Sequence, residues 1–355
     1  MTALLAAPST TFSAPDDRTA TEPVEYRGLA RDEVRLLVAG PAGISHARFR
    51  DLPSFLLPGD LLVVNTSATL AAEVDGQWRG EQSLVVHVAT DLGDGTWVAE
   101  LRTSPTASAP VLDAVAGELI GLRDRTELRL LAPYPRISSP TGRGNRLWRM
   151  EFTGRGSMLA HLERWGRPIA YGYLAGRFPL ADYQTVFATT PGSAEMPSAG
   201  RPFTAELVTR LICAGVAIAP IVLHTGVSSQ DAGEAPQPEW FSVPPATARV
   251  VTATRNAGGR VIAVGTTVTR ALESAAAADG TILAQSGWTR LVVEPSRGVR
   301  VVDGLVTGWH NPDASHLLLV EAVAGAELTQ RAYDAAVAGG YRWHEFGDAG
   351  LLLRS

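Results

Sequence analysis

The most informative stretch of this sequence is Val301-Val302-Asp303-Gly304-Leu305-Val306-Thr307-Gly308-Trp309-His310-Asn311-Pro312. It reads as a short apolar strand that ends in a loop, and the apolar segment 317–320 then begins a helix. A Ser-Gly-x-Thr turn, Ser286–Thr289, comes shortly before the run. The stretch therefore predicts a strand, a loop and a helix, with His310 at a junction where site residues of α/β domains are commonly found.

A second unit of the same kind lies upstream. Val261–Val264 is a continuous apolar run, as expected of a strand that is covered on both faces. Gly265 permits a tight turn, and Thr266 or Thr267 can cap a following helix, whose free N–H groups attract anions. This pattern is compatible with an anion-binding helix start, although the spacing alone favours an ordinary strand-turn-helix joint.

These units belong to a series of short motifs that extends over nearly the whole chain. The series resembles the S-adenosylmethionine:tRNA ribosyltransferase-isomerase (QueA) family, with the motifs in the same order. The motifs that carry the resemblance are Arg31–Val38, Asp51–Pro53, Pro58–Asn65, Asp182–Ala188, Ser198–Thr204, Leu223–Gly226, Gly258–Ser274, Ser286–Thr289, Val301–Pro312 and Tyr341–Ala349. The resemblance implies a mixed α/β (α+β) main domain with a small all-β barrel inserted near its start.

The middle of the first half has the pattern of such a barrel. Short alternating runs separated by Gly- and Asp-rich turns favour a small barrel or a sandwich. These runs are 83–88, 96–101, 126–131 and 147–152. From residue 155 onward, helical and apolar strand patterns alternate, as in an α/β domain. We therefore predict a discontinuous α/β domain of residues 1–65 and 150–355, with residues 66–149 as the inserted barrel.

Composition limits the classes of function. All 31 basic residues are Arg, and the absence of Lys excludes a lysine Schiff base and a Walker-type phosphate lysine. The formal net charge of -5 gives no global attraction to nucleic acid, although a local Arg patch can still bind RNA. The longest apolar run, 211–223, is interrupted and shorter than the roughly 20 residues of a membrane-spanning helix, and we expect no signal peptide.

Cysteine and histidine usage bears on compartment and metal content. Cys213 is the single cysteine, so no disulfide forms within the chain, and we expect a cytoplasmic protein. Its apolar neighbours predict that Cys213 is a core residue. The seven His residues and the one Cys lack the spacing of zinc ligands, so we predict no metal. We expect a monomer or a weak homo-oligomer.

Three residues are candidates for catalysis: His310, His224 and Asp303. The resemblance implies chemistry that needs a base beside the sulfonium, a proton donor for departing adenine, and a dry pocket. His310 titrates near neutral pH and is the first candidate, and His224, at the end of an apolar strand, is the second. Each has a structural alternative: His310 as a helix cap, His224 as a satisfied residue at a sheet edge, and Asp303 as turn chemistry.

The resemblance also implies residues that bind S-adenosylmethionine or the acceptor base. The polar groups of Tyr183–Thr185 suit a base edge or a ribose, and Trp288 or Trp309 suits an adenine face or a sulfonium. A polar strand end, aromatic core packing and an ion pair between Arg270 and Glu273 are the structural alternatives. The full predicted set is Arg35, Asn65, Tyr183, Gln184, Thr185, Ser198, Gly200, Gly226, Gly265, Thr266, Thr267, Arg270, Glu273, Trp288 and Thr289.

The resemblance implies that the ribosyl moiety of S-adenosylmethionine, a co-substrate, is transferred and isomerised onto 7-aminomethyl-7-deazaguanine in the tRNA anticodon loop. Epoxyqueuosine forms, and adenine and methionine leave. Some polar motifs depart from the family pattern: Thr66-Ser67-Ala68 stands where the family usually has Asp-Thr-Arg, and Arg201-Pro202 lacks the usual His. Two alternatives therefore stay open. One is a relative that cleaves S-adenosylmethionine or uses a small-molecule acceptor, and the other is a non-catalytic RNA-binding or scaffold protein.

Overall fold

The structure is a computed structural model that describes residues 7–13, 18–135, 144–228, 236–312 and 314–354. Its strands are β1 (Arg35–Gly40), β2 (Gly43–Arg48), β3 (Leu61–Asn65), β4 (Ser67–Thr69), β5 (Glu73–Trp78), β6 (Gln82–Asp91), β7 (Thr96–Thr103), β8 (Leu119–Gly121), β9 (Glu127–Pro133), β10 (Leu147–Thr153), β11 (Thr190–Ser193), β12 (Ala217–Leu223), β13 (Glu239–Val243), β14 (Val261–Val264), β15 (Gln285–Thr289), β16 (Gly304–Gly308) and β17 (Ala349–Leu353). Its helices are α1 (Met158–Trp165), α2 (Ala205–Cys213), α3 (Pro245–Asn256), α4 (Thr266–Ala275), α5 (His316–Ala324) and α6 (Ala326–Ala338). Short 3-10 turns join several of these elements.

Nine strands of the described chain form one mixed sheet in the order β15-β13-β12-β3-β14-β16-β17-β1-β2. At its centre β12, β3, β14 and β16 run parallel, and Val63 of β3 lies between Ala219 of β12 and Ala263 of β14. Antiparallel pairs occupy both ends of the sheet. Because the four central strands point the same way, their carboxyl ends meet at one edge, where α/β proteins commonly bind ligands.

Both faces of the sheet are covered, as the continuous apolar runs of its central strands require. Along β3, Leu61 and Val63 pack into one core, whereas Leu62 and Val64 pack into the other. Helices α3 to α6 supply side chains to the first core, and α2 supplies side chains to the second. The alternation follows from the two-residue period of a strand, so one short segment holds both cores together.

Strands β5 to β10 of the described chain close into an antiparallel barrel in the order β10-β7-β6-β5-β8-β9. Trp78, Leu128 and Trp148 are among the residues of its core. The predicted fold class, an α/β domain with a small all-β barrel, is confirmed. The predicted domain boundaries stay a prediction. Near the first boundary, β4 pairs in parallel with β11 rather than with a barrel strand. Near the second boundary, the barrel strand β10 extends to Thr153.

The helices follow the predicted pattern except at two points. At α4, neither Thr266 nor Thr267 caps the helix through its side chain, because Gly265 at φ 98° already makes the turn and Thr266 is the first helical residue. The prediction that Cys213 is a core residue is wrong: it lies exposed on α2, whose buried face carries Leu207 and Leu211. No helix within the described ranges is long and apolar enough to cross a membrane.

Candidate active site

A cavity of about 250 Å³ opens at the edge where the central parallel strands end. Residues that follow three of these strands line it: Thr225 after β12, Gly265 after β14, and His310 after β16. The segment around Ser198 and the loop around Glu345 supply further walls. This is the position that the general rule for open α/β sheets assigns to a ligand site.

The N-terminus of α4 faces this cavity. Gly265 adopts φ 98° and donates its N–H to Val306 O at 2.8 Å, so the helix start is fixed to β16. A Cβ atom on Gly265 would lie 3.3 Å from the Cβ of Ala199, so the backbone passes close to its neighbour. The N–H groups of Thr266 and Thr267 begin the helix, and such groups have no acceptor within their own helix. This end of the cavity is therefore suited to an anion, such as a carboxylate.

His310 lies on the cavity wall in the loop after β16. Its Nε2 is 3.1 Å from Thr307 Oγ1, and its ring stacks on that of His316, with the centroids 4.7 Å apart. Burial lowers the pKa of His310 well below its ordinary value, and the neighbouring His316 and His344 lower it further. Burial likewise lowers the pKa of His316 to about 4. Both rings are therefore neutral at neutral pH, and a neutral imidazole can accept a proton.

Arg270 places a guanidinium group in the cavity wall, where it is paired with the carboxylate of Glu239. The guanidinium forms a salt bridge with Glu239 and donates from Nε to Leu291 O at 3.2 Å. Gly226 donates its N–H to Glu239 Oε1 at 3.3 Å. Burial raises the pKa of Glu239, while Arg270 and the Gly226 N–H oppose that rise. The pair is thus a fixed polar part of the wall, close to the loop after β12.

The wall contributed by residues 171–173 and 344 is aromatic. The Tyr171 and Tyr173 rings lie nearly parallel, with centroids 6.0 Å apart, and Tyr173 also stacks on His344 at 4.6 Å. Burial raises the pKa of both Tyr hydroxyls well above the ordinary value, and it lowers the pKa of His344. These rings therefore stay uncharged at neutral pH and offer flat apolar faces to a ligand.

Two carboxyl groups, Glu195 and Glu345, complete this part of the wall. Glu195 accepts hydrogen bonds from the Tyr171 hydroxyl, from Ser228 N at 2.8 Å and from the Ser228 hydroxyl. By contrast, Glu345 Oε1 is buried with no hydrogen-bond partner among the described residues. The cavity thus combines a helix N-terminus, neutral imidazoles and one unpartnered carboxyl group. No group of three or more metal-ligating side chains occurs in the described ranges.

Comparison with known proteins identifies the relatives of this chain. The family model for queuosine biosynthesis proteins matches residues 8–352. The chain belongs to this family. Proteins named S-adenosylmethionine:tRNA ribosyltransferase-isomerase are 36% identical over 352 residues in Thermus thermophilus and 38% identical over 356 residues in Moorella thermoacetica. Each alignment covers 96% of this chain and 98% of the relative.

A solved structure supports the same kinship. The crystal structure of an S-adenosylmethionine tRNA ribosyltransferase from Thermotoga maritima is 28% identical, with a TM-score of 0.52 over 96% of this chain and 99% of that one. The family resemblance is confirmed, and this member of the queuosine biosynthesis family is an enzyme of the ribosyltransferase-isomerase type. The alternative of a non-catalytic scaffold is therefore set aside.

In this family member, seven of the eighteen predicted catalytic and binding residues line the cavity. They are Ser198, Gly226, Gly265, Thr266, Thr267, Arg270 and His310. The residues that sequence reasoning missed are Tyr171, Tyr173, Glu195, His316, His344 and Glu345. Most of these lie in irregular segments without a hydrophobic period, so only their polar and aromatic character was available as a signal.

His224 and Asn65 lie beside the cavity rather than in its wall. His224 Nδ1 is 2.7 Å from Ser67 Oγ, and the ring stacks on Trp240. A Cβ atom on Gly192 would meet the His224 ring at 2.4 Å, so the ring is closely packed. Asn65 bridges β3 and β12 through hydrogen bonds to both the N–H and the carbonyl of Leu223. These contacts favour a structural role for both residues.

Asp303, Glu273 and Arg35 hold backbone segments in place away from the cavity. Asp303 accepts the Val261 N–H at 2.9 Å, which joins the starts of β14 and β16. The Arg270–Glu273 ion pair is absent, because Arg270 binds Glu239 while Glu273 accepts the N–H groups of residues 300–302 and pairs with Arg297. Arg35 binds Asp348 at 2.7 Å and the carbonyls of residues 339 and 340.

The remaining predicted residues also make contacts within the protein. Gln184 pairs with both backbone groups of Thr69, in the manner of a neighbouring strand. Tyr183 packs its ring against Phe346. Thr185 lies against Gly200, and the Thr289 hydroxyl shares a hydrogen bond with that of Ser274. Trp288 pairs across the sheet with Trp240, and Trp309 is buried in the core. None of these except Trp309 lines the described cavity.

Proposed function

We propose that this enzyme transfers and isomerises the ribosyl moiety of S-adenosylmethionine onto 7-aminomethyl-7-deazaguanine in tRNA. Adenine and methionine leave, and epoxyqueuosine forms. The names of the relatives support the reaction class. The observation that carries the proposal is the meeting, in one cavity, of the α4 N-terminus with the neutral imidazole of His310.

The α4 N-terminus is proposed to bind the carboxylate of the methionine part. The N–H groups of Thr266 and Thr267 and the positive end of the helix dipole suit that group, and Gly265 lets the backbone approach it closely. Arg270 is engaged by Glu239 and is proposed to position the loop after β12 rather than to bind the carboxylate directly. In this arrangement backbone N–H groups bind the carboxylate, so a lysine side chain is not required.

His310 is proposed to remove the proton next to the sulfonium. The positive sulfur makes the C–H bonds of the adjacent C5′ acidic, and a neutral imidazole in a water-poor cavity can accept that proton. Thr307 Oγ1, 3.1 Å from Nε2, holds the ring in one orientation. The stacked His316 ring, which is also neutral, helps to hold the position of His310.

The test is the release of adenine and methionine from S-adenosylmethionine by the purified enzyme. It is run with tRNA carrying the aminomethyl-deazaguanine base, with the same tRNA carrying guanine, and with the free deazapurine. We expect release only with the modified tRNA. Because phosphate contacts dominate tRNA affinity, raising the salt concentration should increase KM for tRNA more than it lowers kcat.

The other outcomes separate the alternatives. Release with the free base at a comparable kcat/KM would favour a small-molecule acceptor, and release without any acceptor would favour simple cleavage of S-adenosylmethionine. Absence of release with all three acceptors would overturn the proposed function.

A further inference from the structure

Glu345 occupies a strained and well-anchored turn at the cavity wall. The residue before it, His344, adopts φ 69°, a left-handed conformation that is uncommon for a residue other than glycine. The residue after it, Phe346, is buried and packs against Tyr183 at 5.2 Å, and Gly347 N donates to His344 O at 3.0 Å. Both flanks are fixed, so the turn holds the Glu345 side chain against the cavity. Strain of this kind is characteristic of functional sites.

The Glu345 carboxyl group has an oxygen that nothing in the described protein satisfies. Oε1 is buried without a partner, whereas the adjacent Glu195 accepts three hydrogen bonds. A buried polar atom without a partner is costly, and a catalytic role is one of the reasons for which such an atom is retained. The two carboxyl groups of this wall therefore differ: Glu195 is held within the protein, and Glu345 is free to contact a ligand.

Within the described part of the chain, a small set of charged and titratable groups acts on Glu345. They are Glu195, Arg201, Tyr173, Tyr183 and the adjacent His344. Burial is the largest influence and Glu195 adds to it, so that the pKa of Glu345 rises to about 8, with Arg201 opposing the rise. At neutral pH this side chain is a carboxylic acid that carries a proton. In the same cavity His310 is an uncharged base, and two groups whose pKa values are pushed apart in this way can divide acid and base roles.

We propose that Glu345 is the general acid that protonates the departing adenine, complementary to His310 as the base. The inference rests on the proposed function, since it assigns a residue to one step of that reaction. It explains why an unpartnered carboxyl group is held by a strained turn in a cavity whose other acids, Glu195 and Glu239, are engaged by hydrogen bonds or a salt bridge.

The step balances as follows in atoms and charge. His310 takes the proton from C5′, and the electron pair of that bond becomes the C4′–C5′ double bond. The pair of the C4′–O4′ bond becomes the carbonyl at C1′, and the pair of the C1′–N9 bond leaves with adenine, which takes the proton of Glu345. His310 becomes positive and Glu345 becomes negative, so the charge within the pocket does not change overall, and no oxidant or reductant is required.

The experiment compares Glu345→Gln with the unsubstituted enzyme in adenine release across the pH range, with S-adenosylmethionine and with its 8-azaadenine analogue. The 8-aza base leaves more readily as an anion and needs less protonation. Gln can donate a hydrogen bond but cannot transfer a proton, so we expect a rate loss of about 10²–10⁴-fold with S-adenosylmethionine and a much smaller loss with the analogue. The fall of kcat/KM above about pH 8 should be present in the unsubstituted enzyme and absent from the variant.

Two further variants separate this role from a structural one. Glu345→Asp keeps a carboxylic acid and should restore part of the rate together with the alkaline fall. Glu195→Gln removes the negative charge beside Glu345, which should lower the pKa of Glu345 and move the alkaline fall to lower pH. Glu163→Gln, at an exposed position of α1 that is distant in sequence from Glu345, is the matched control. It should leave the pH profile of adenine release unchanged.

The possible failures are distinguishable. If the Glu345→Gln variant loses the same factor with both substrates, or keeps the alkaline fall, Glu345 is not the acid, although the proposed function stands. If the unsubstituted enzyme releases no adenine with the modified tRNA, the proposed function fails and this inference fails with it.

Discussion

The barrel and the cavity each bury a glutamate, and the two carboxyl groups behave in opposite ways. In the barrel, burial acts to raise the pKa of Glu73, yet hydrogen bonds with His87 and Arg177 outweigh that effect and lower the pKa to about 2. Arg167 also binds Glu73 at 2.7 Å. In the cavity, Glu345 has no such partner, and burial raises its pKa to about 8. The same residue type is thus kept ionised in one region and protonated in the other.

The difference shows that partners, rather than burial itself, decide what a buried acid does. His87, Arg167 and Arg177 compensate the charge of Glu73. Through the two arginines, Glu73 joins the barrel to the chain segment that follows it. Glu345 Oε1 is left without a partner among the described residues, and burial shifts the pKa values of Glu345 and His310 in opposite directions, which is a pattern typical of functional sites. The comparison predicts that changes in the barrel reduce stability and changes in the cavity reduce activity.

The largest effect is expected at the cavity. His310→Ala should lower adenine release by about 10²–10⁴-fold, since it removes the proposed base, and should leave the melting temperature nearly unchanged. The measurement is single-turnover adenine release together with thermal unfolding. His46→Ala, an exposed histidine outside the cavity, is the matched control. Near-normal turnover in His310→Ala would remove His310 from the mechanism.

The next effect is expected in the barrel. Glu73→Gln leaves Arg167 and Arg177 without their shared carboxylate, and breaking a buried ion pair costs about 3–5 kcal/mol of unfolding free energy. Denaturant unfolding measures this loss, and adenine release per folded molecule should be retained. A similar change at the exposed Glu81 should cost little. If Glu73→Gln is as stable as the unsubstituted protein, the barrel cluster is not the stabilising element that this comparison assumes.

Acid titration sharpens the same prediction. The folded-state pKa of Glu73, about 2, lies below its ordinary value of 4.5, so its stabilising contribution is complete above about pH 4.5. The contribution is lost as pH falls from about 4.5 to about 2. The stability difference between the unsubstituted protein and Glu73→Gln should therefore shrink across this window. A difference that stays constant would show that the charge of Glu73 is not its source.

The smallest effect is expected beside the cavity, at Ser67. Ser67→Ala removes the hydroxyl that lies 2.7 Å from His224 Nδ1 and 2.6 Å from Ser193 Oγ. The cost in unfolding free energy should be about 1 kcal/mol, with kcat little changed, because His224 is not in the cavity wall. A loss of kcat as large as that of His310→Ala would instead assign His224 a catalytic role.

Much of the fold was accessible from the sequence because it depends on periodic patterns. The alternating runs at 83–88 and 96–101 became β6 and β7, and Val261–Val264 became β14 with Gly265 at the predicted turn. These features follow from side-chain period and glycine conformation, which are local properties. The fate of Cys213 shows the limit: an apolar neighbourhood in sequence says nothing about which side of a helix a residue occupies.

Sequence patterns predict one part of the candidate site and miss the rest, for a related reason. Motifs identified the strand ends that supply Gly265 and His310, because parallel strands bring their carboxyl ends together. Glu195 and Glu345 reach the same cavity from irregular segments, and their positions depend on long-range packing that no local pattern encodes. Because Glu273 belongs to one of the motifs, it is included among the predicted binding residues. Its contacts show instead that it fixes the loop of residues 300–302.

The position of β17 has a consequence for how the molecule forms during synthesis. Among the described strands, the hairpin β1–β2 borders the rest of the sheet through β17, and the contact between Arg35 and Asp348 spans 313 positions. The early hairpin therefore acquires this neighbour in the sheet only after β17 has been synthesised. The turn that carries Glu345 leads directly into β17, so this part of the cavity wall is synthesised after all the barrel strands.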